Sequence, residues 1–217
     1  MLTPSHAIIN LAILGKEKHP SRNLWIVIGS IAPDLPMYFF AALVYFNYGI
    51  KGFQVWDSLY YRPFWQIIFN STHSFVVWPA VWILLKIILN FPDFLRSLQH
   101  ALKEPRLQSW SWLIKFSAWE YLLFGALGHV FADFWVHASD AYASFYPISE
   151  YRFYSPISYY DPKYYGNIVG LIEIILVVVL SFRVFRILQK RQSKIVLVVT
   201  VIGLIALYLL KTMLIFT

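Results

Sequence analysis

Cysteine is absent from the 217-residue chain, which excludes a disulfide framework and any thiolate metal site. A bound metal would therefore rest on His, Asp and Glu. Charge is scarce as well: 13% of the residues are charged, against about 25% in an ordinary soluble domain, and 59% are hydrophobic. That balance excludes a water-soluble globule and a disordered tail. The chain has no Gly-rich phosphate loop, no nucleophile elbow, no internal repeat and no low-complexity tract. Its net charge of +7 comes from Lys and Arg scattered between apolar runs rather than from a dense basic tract. Membrane lipids with anionic headgroups are the expected partners, and nucleic acid is discounted. Oligomeric state is not readable.

What the chain has is apolar length. Five runs, 24–46, 64–89, 111–136, 168–188 and 195–216, are each long enough to cross a hydrocarbon layer of roughly 30 Å as helix. Helix is the economical solution, because lipid offers backbone groups no outside partner. A sixth stretch, Leu2 to Leu14, is too short to span and opens with Thr3-Pro4-Ser5, where proline suits a first helical turn. Its positive charges, Lys16, Lys18 and Arg22, follow the apolar part, unlike a secretory signal. The expected fold is all-α: a polytopic helical membrane protein forming a single membrane domain over 1–217. It has about five transmembrane helices plus a short N-terminal membrane-embedded helix, and ends in a helical hairpin over 168–217.

Basic residues set the expected orientation. Placing loop 183–194 in the cytoplasm and alternating back through the spans puts Lys16, Lys18, Arg22, Arg96, Lys103 and Arg106 inside too. Eleven Lys and Arg are then inside and four, Lys51, Arg62, Arg152 and Lys163, outside. Loop 137–167 becomes extracytoplasmic. Its eight tyrosines, from Tyr142 to Tyr165, suit a lid in the headgroup layer.

The chemistry rests on ionisable residues inside apolar spans, where burial costs several kcal/mol unless the group is paired or ligates a metal. Gly125-x-x-x-His129-x-x-x-Asp133-x-x-x-His137 sets two imidazoles and a carboxylate on one helix face at successive turns, with Asp140 just beyond. Ser71-Thr72-His73-Ser74 places a histidine among hydroxyls. Pro33-Asp34-Leu35-Pro36 places a carboxylate where two prolines loosen the helix. His6 sits in the N-terminal helix. At about 1.5 Å per residue, His6 and Asp34 lie on the order of 15 Å from loop 16–22, with His73 and His129 roughly 14 Å and 10 Å below the outer span ends. All four thus fall near one level, as a buried metal site requires. Zn²⁺ suits three His and two Asp without Cys, and Mn²⁺ or Fe²⁺ fit the same donors. Blander roles exist for each. His73 alone suits an interhelical hydrogen bond, and Asp34 a kink closed by side-chain bonds to the backbone. His19 and His100 read as solvated, and Glu120 and Glu173 are left unassigned.

The order Thr3-x-x-His6, Pro33-Asp34, Thr72-His73-Ser74 and Gly125-x-x-x-His129-x-x-x-Asp133 resembles a bacterial inner-membrane family described as membrane-bound metal-dependent hydrolases. The resemblance covers roughly residues 1–165. Within it, the chain is similar to a branch of multi-pass proteins with a Pro-Asp-Leu-Pro-Met segment and a Ser-Tyr-x-Asp-Pro-x-x-Tyr-Gly ending, here Ser158 to Gly166. The chain departs from the family where Leu35, Pro36 and Met37 replace a second Asp and a His, removing one arm of a two-metal site. The usual His/Arg-Gly pair before Thr72 is also missing. The resemblance implies the bacterial cytoplasmic membrane and metal ligands His6, Asp34, His73, His129 and Asp133. On that basis the expected activity is hydrolysis of a lipid-linked ester or phosphoester. His137 and Asp140 would be the catalytic proton carriers, and Arg152 and Lys163 would meet an anionic head. Two other classes use the same residues: an ion or small-solute transporter, and a non-catalytic assembly protein whose polar groups hold helices together.

Overall fold

A computed structural model describes residues 1–91, Leu95 and 117–216. Among these residues there are nine helices and no strand. α1 is Thr3–Leu14, α2 Pro20–Ile31, α3 Leu35–Tyr48, α4 Gly52–Tyr60 and α5 Pro63–Thr72. α6 is Val77–Leu89, α7 Tyr121–Phe134, α8 Gly166–Ile187 and α9 Arg191–Phe216.

Three segments are long and apolar enough to cross a membrane: Pro20–Tyr48, Gly166–Ile187 and Arg191–Met213. The expected five become three, or four when α5 and α6 count as one. Residues 64–89 are not a straight span, since α5 and α6 meet at a 70° bend. Residues 111–136 contribute α7, whose 14 residues extend about 21 Å and fall short of the bilayer core. Residues 111–116 lie outside the described residues, as do His100 and the topology markers Arg96, Lys103 and Arg106. α8 and α9 are apolar nearly all round, with Ile172, Ile175, Val179, Val198, Val199 and Ile202 exposed, as helices facing lipid must be.

α1 is the buried hub. Ile8, Leu11 and Ala12 pack with Val177 and Val184 of α8 and Leu197 and Leu204 of α9. Its opposite face meets α2 and α7 through Asn10, whose amide donates to the Ser30 hydroxyl at 2.9 Å and the Gly125 carbonyl at 3.0 Å. Two glycines let α2 and α7 touch backbone to backbone. A Cβ at Gly29 would stand 2.1 Å from the Leu122 carbonyl oxygen, and one at Gly125 would stand 2.3 Å from that of Ile26. A second cluster of Phe40, Val44, Tyr60, Phe69 and Tyr142 joins α3, α4 and α5 to the loop after α7.

The two unassigned glutamates hold the scaffold. Glu173 of α8 accepts the Leu2 N–H at 2.9 Å and so anchors the start of α1. Glu120, before α7, pairs with Lys86 of α6 at 2.5 Å and accepts the Trp82 indole N–H at 3.2 Å.

Gly125→Ala drives a methyl into the Ile26 carbonyl and is expected to cost about 1–3 kcal/mol. That loss reads as a lower thermal midpoint in detergent. Gly203→Ala has open space at its Cα and should not lower the midpoint.

Candidate metal centre

Two interrupted helices and one continuous one bring the site together. The Pro20–Tyr48 segment is not regular throughout. Pro33 lacks an N–H, and residues Ala32–Asp34 tighten into a 3₁₀ turn that sets Asp34 at mid-span. α5 ends at Thr72, leaving His73 at the mouth of the 70° bend. Backbone donors freed there are recaptured locally: the Ser74 hydroxyl accepts from the Val76 and Val77 N–H groups at 3.0 and 3.2 Å. α7 then supplies His129 and Asp133 one turn apart. Irregular backbone at membrane depth survives where it lines a protein-walled cavity, and both breaks do so.

Asp34, His73, His129 and Asp133 each offer a donor atom, and these four atoms lie within 4.8 Å of one another. Nε2 of His129 is 3.1 Å from Asp133 Oδ2 and 3.5 Å from Asp34 Oδ1. Nε2 of His73 is 3.3 Å from Asp34 Oδ1 and 3.7 Å from Asp133 Oδ2. A tetrahedron with ligands about 2.0–2.2 Å from its centre has edges of roughly 3.3–3.6 Å. The four separations bracket that size.

The far side of each imidazole is already committed. His129 Nδ1 meets the Ser30 carbonyl at 2.7 Å, and His73 Nδ1 meets the Phe69 carbonyl at 3.0 Å. A carbonyl can only accept, so both Nδ1 atoms carry the proton and both Nε2 atoms present lone pairs in the neutral ring. Nε2 of His129 makes no hydrogen bond among the described residues although it is fully buried, so its lone pair is free to ligate. Asp34 is held by a hydrogen bond from the Thr3 hydroxyl, which accepts in turn from the Tyr38 hydroxyl at 2.6 Å. The donor set is the O/N combination that divalent ions such as zinc take, and it can hold a metal ion.

Two further histidines flank the four. His6 stacks on His129 with ring centroids 3.8 Å apart, and its Nε2 lies 3.0 Å from the other carboxylate oxygen of Asp133. That oxygen also meets the Met1 amino nitrogen at 2.8 Å. The expected ligand His6 is thus beside the four-atom set rather than within it. His137 turns Nε2 to Asp133 Oδ2 at 3.5 Å, while its Nδ1 bonds Asp140 Oδ2 at 2.8 Å. Burial opposes the charge on Asp140, yet the hydrogen bond from His137 holds its carboxyl below the usual carboxylate range. Tyr160 is pushed up to about 12, first by burial and then by the charge of Asp140.

Loop 137–167 packs into the protein. Ala138, Ala141, Tyr142 and Ala143 are buried, and the Tyr142 ring stacks on His73 with centroids 3.8 Å apart. Beneath the loop a cavity of about 620 Å³ reaches Asp34, Asp133, His137 and Asp140, and is walled by tyrosines, Trp56, Leu204 and Leu207. Arg152 and Lys163 do not line it. The Arg152 guanidinium is spent on the Ala141 carbonyl at 2.5 Å and Gln66 at 3.0 Å, and Lys163 is exposed. Sequence reasoning marked Thr3 only as a motif residue and missed Tyr38 and Tyr142, because the contacts of Thr3 with Asp34, Tyr38 with Thr3 and Tyr142 with His73 are long-range. Only the position of Thr3 beside His6 hinted at them.

Fold and site together define an all-helical protein with helices long and apolar enough to cross a membrane and a buried His/Asp centre. The chain belongs to the family described as domain of unknown function (DUF4184), whose model matches residues 1–217. No curated protein and no solved structure matches it.

Zinc-loaded wild type is expected to retain about one equivalent by elemental mass spectrometry, and His129→Ala and Asp133→Ala to retain none. Retention should fall as the pH is lowered, because protons compete for the imidazole lone pairs. Equal metal in all three proteins would sink the assignment.

Proposed function

We propose that the protein is a membrane-embedded metal-dependent hydrolase acting on a lipid-linked ester. The supporting observation is the convergence of two Nδ1-locked histidines and two carboxylates beside an amphiphilic cavity whose wall includes both carboxylates. Asp34, His73, His129 and Asp133 are the ligands, with Zn²⁺ the first choice and Mn²⁺ or Fe²⁺ next. When bound, such an ion supplies Lewis acidity to an ester oxygen and acidifies water.

The protein's own groups do the rest. His137 takes the proton of the attacking water at Nε2 and returns it to the leaving oxygen as the ester C–O bond breaks. Asp140 orients the ring through Nδ1 and stabilises the imidazolium. His6, stacked on His129, and Thr3, bonded to Asp34, position the ligand carboxylates and imidazole. Leu204, Leu207, Met37 and Trp56 receive an apolar chain, and Tyr142 with the loop above it keeps water out. Asp34, Asp57, Asp133 and Asp140 line the cavity while no Lys or Arg does, among the described residues. An uncharged carboxylic ester is therefore a better fit than a phosphoester. The positive-inside orientation, with loop 137–167 extracytoplasmic in a bacterial inner membrane, completes the proposal.

The test is turnover of a lipid p-nitrophenyl ester, beside the matching phosphoester, in mixed micelles. Asp140→Asn should keep its metal but lose about 10²-fold or more in kcat. Turnover undiminished in His129→Ala, or none by metal-replete wild type on either substrate, would contradict the reading.

A further inference from the structure

A second concavity lies beside the centre without including its ligands. α1 and α2 form one wall and the α8–α9 hairpin the other, and the groove encloses about 870 Å³. Its lining is sorted along its length. Lys18, Gln189, Lys190, Gln192 and Ser193 gather where the α1–α2 and α8–α9 connections meet. The trough is Ile8, Leu11, Leu24, Val27, Val184 and Val196. Thr3 and Tyr38 close the far end, and no Asp or Glu lines the groove among the described residues.

We propose that this groove binds one anionic phospholipid of the surrounding bilayer. Its phosphate lies against Lys18 and Lys190, and one acyl chain runs along α1 toward Thr3 and Tyr38. Three observations support this occupant. Two lysines at the polar end and no carboxylate in the lining select a negative headgroup. The 12-residue α1 extends about 18 Å, close to the roughly 15 Å depth of one leaflet, half of a 30 Å core. The walls are open, with Leu24 58% and Val196 64% exposed, and an acyl chain covers them. The site touches the metal cavity only through Thr3, Pro4 and Tyr38, so it stands or falls apart from the hydrolase reading.

Native mass spectrometry of the full chain, released from micelles holding equal phosphatidylglycerol and phosphatidylcholine, tests it. Wild type should retain one phosphatidylglycerol with about tenfold preference. Lys18→Gln with Lys190→Gln should still take a lipid but lose the preference. Val196→Trp, at an exposed position that tolerates the ring, should fill the trough and retain neither lipid. Matched thermal midpoints establish that the variants are folded. Equal retention of both lipids by wild type, a preference that survives the lysine substitutions, or lipid still held by Val196→Trp would each overturn the proposal.

Discussion

Asp133 is a carboxylate buried to within 4% of full enclosure, and such a charge in an apolar bundle costs several kcal/mol unless it is answered. Four histidines surround it. α1 brings His6, α5 ends so that His73 faces it, His129 lies one turn back on the same helix, and His137 follows one turn on. Asp34 then adds a second carboxylate to the same small volume. Two carboxylates packed that close repel unless cations or an ion sit between them. The Nε2 lone pairs of His73 and His129 do not meet that demand, whereas a divalent ion held by the cluster would.

That requirement explains features that look like defects in isolation. A straight Pro20–Tyr48 helix would have no reason for a 3₁₀ turn at mid-length, nor α5 and α6 for a 70° bend. Each irregularity releases a side chain to the cluster and repairs its backbone with a neighbouring hydroxyl or carbonyl. The glycines at 29 and 125 serve the same end. Without the backbone contact they permit, the Ser30 carbonyl would not reach Nδ1 of His129.

The site was largely legible in the sequence because its signal is local. Ionisable residues are few in apolar runs, and the four-residue spacing from Gly125 to His137 survives any uncertainty about helix ends. Depth counting then placed His6, Asp34, His73 and His129 at one level, and the structure brings them together. The fold was less legible. Hydropathy reads the same through a bend as through a straight helix, so 64–89 passed for one span. α7 lies inside the apolar run 111–136 but is too short to cross on its own. Charge and sequence proximity match Arg152 and Lys163 to the site, whereas Arg152 ties the loop to Gln66 of α5, a long-range task that spacing does not reveal. The tyrosines of loop 137–167 suit a lid in the headgroup layer, but the burial of Tyr142 against His73 depends on tertiary packing alone.

The most direct measurement is X-ray absorption at the zinc edge of the zinc-loaded full chain. The account predicts a first shell of nitrogen and oxygen only, about four ligands, with outer-shell scattering from two imidazoles. Replacing His73 and His129 together should remove that imidazole signature. A zinc spectrum without imidazole scattering, or one unchanged by the double replacement, would contradict the claim that this cluster is a metal centre.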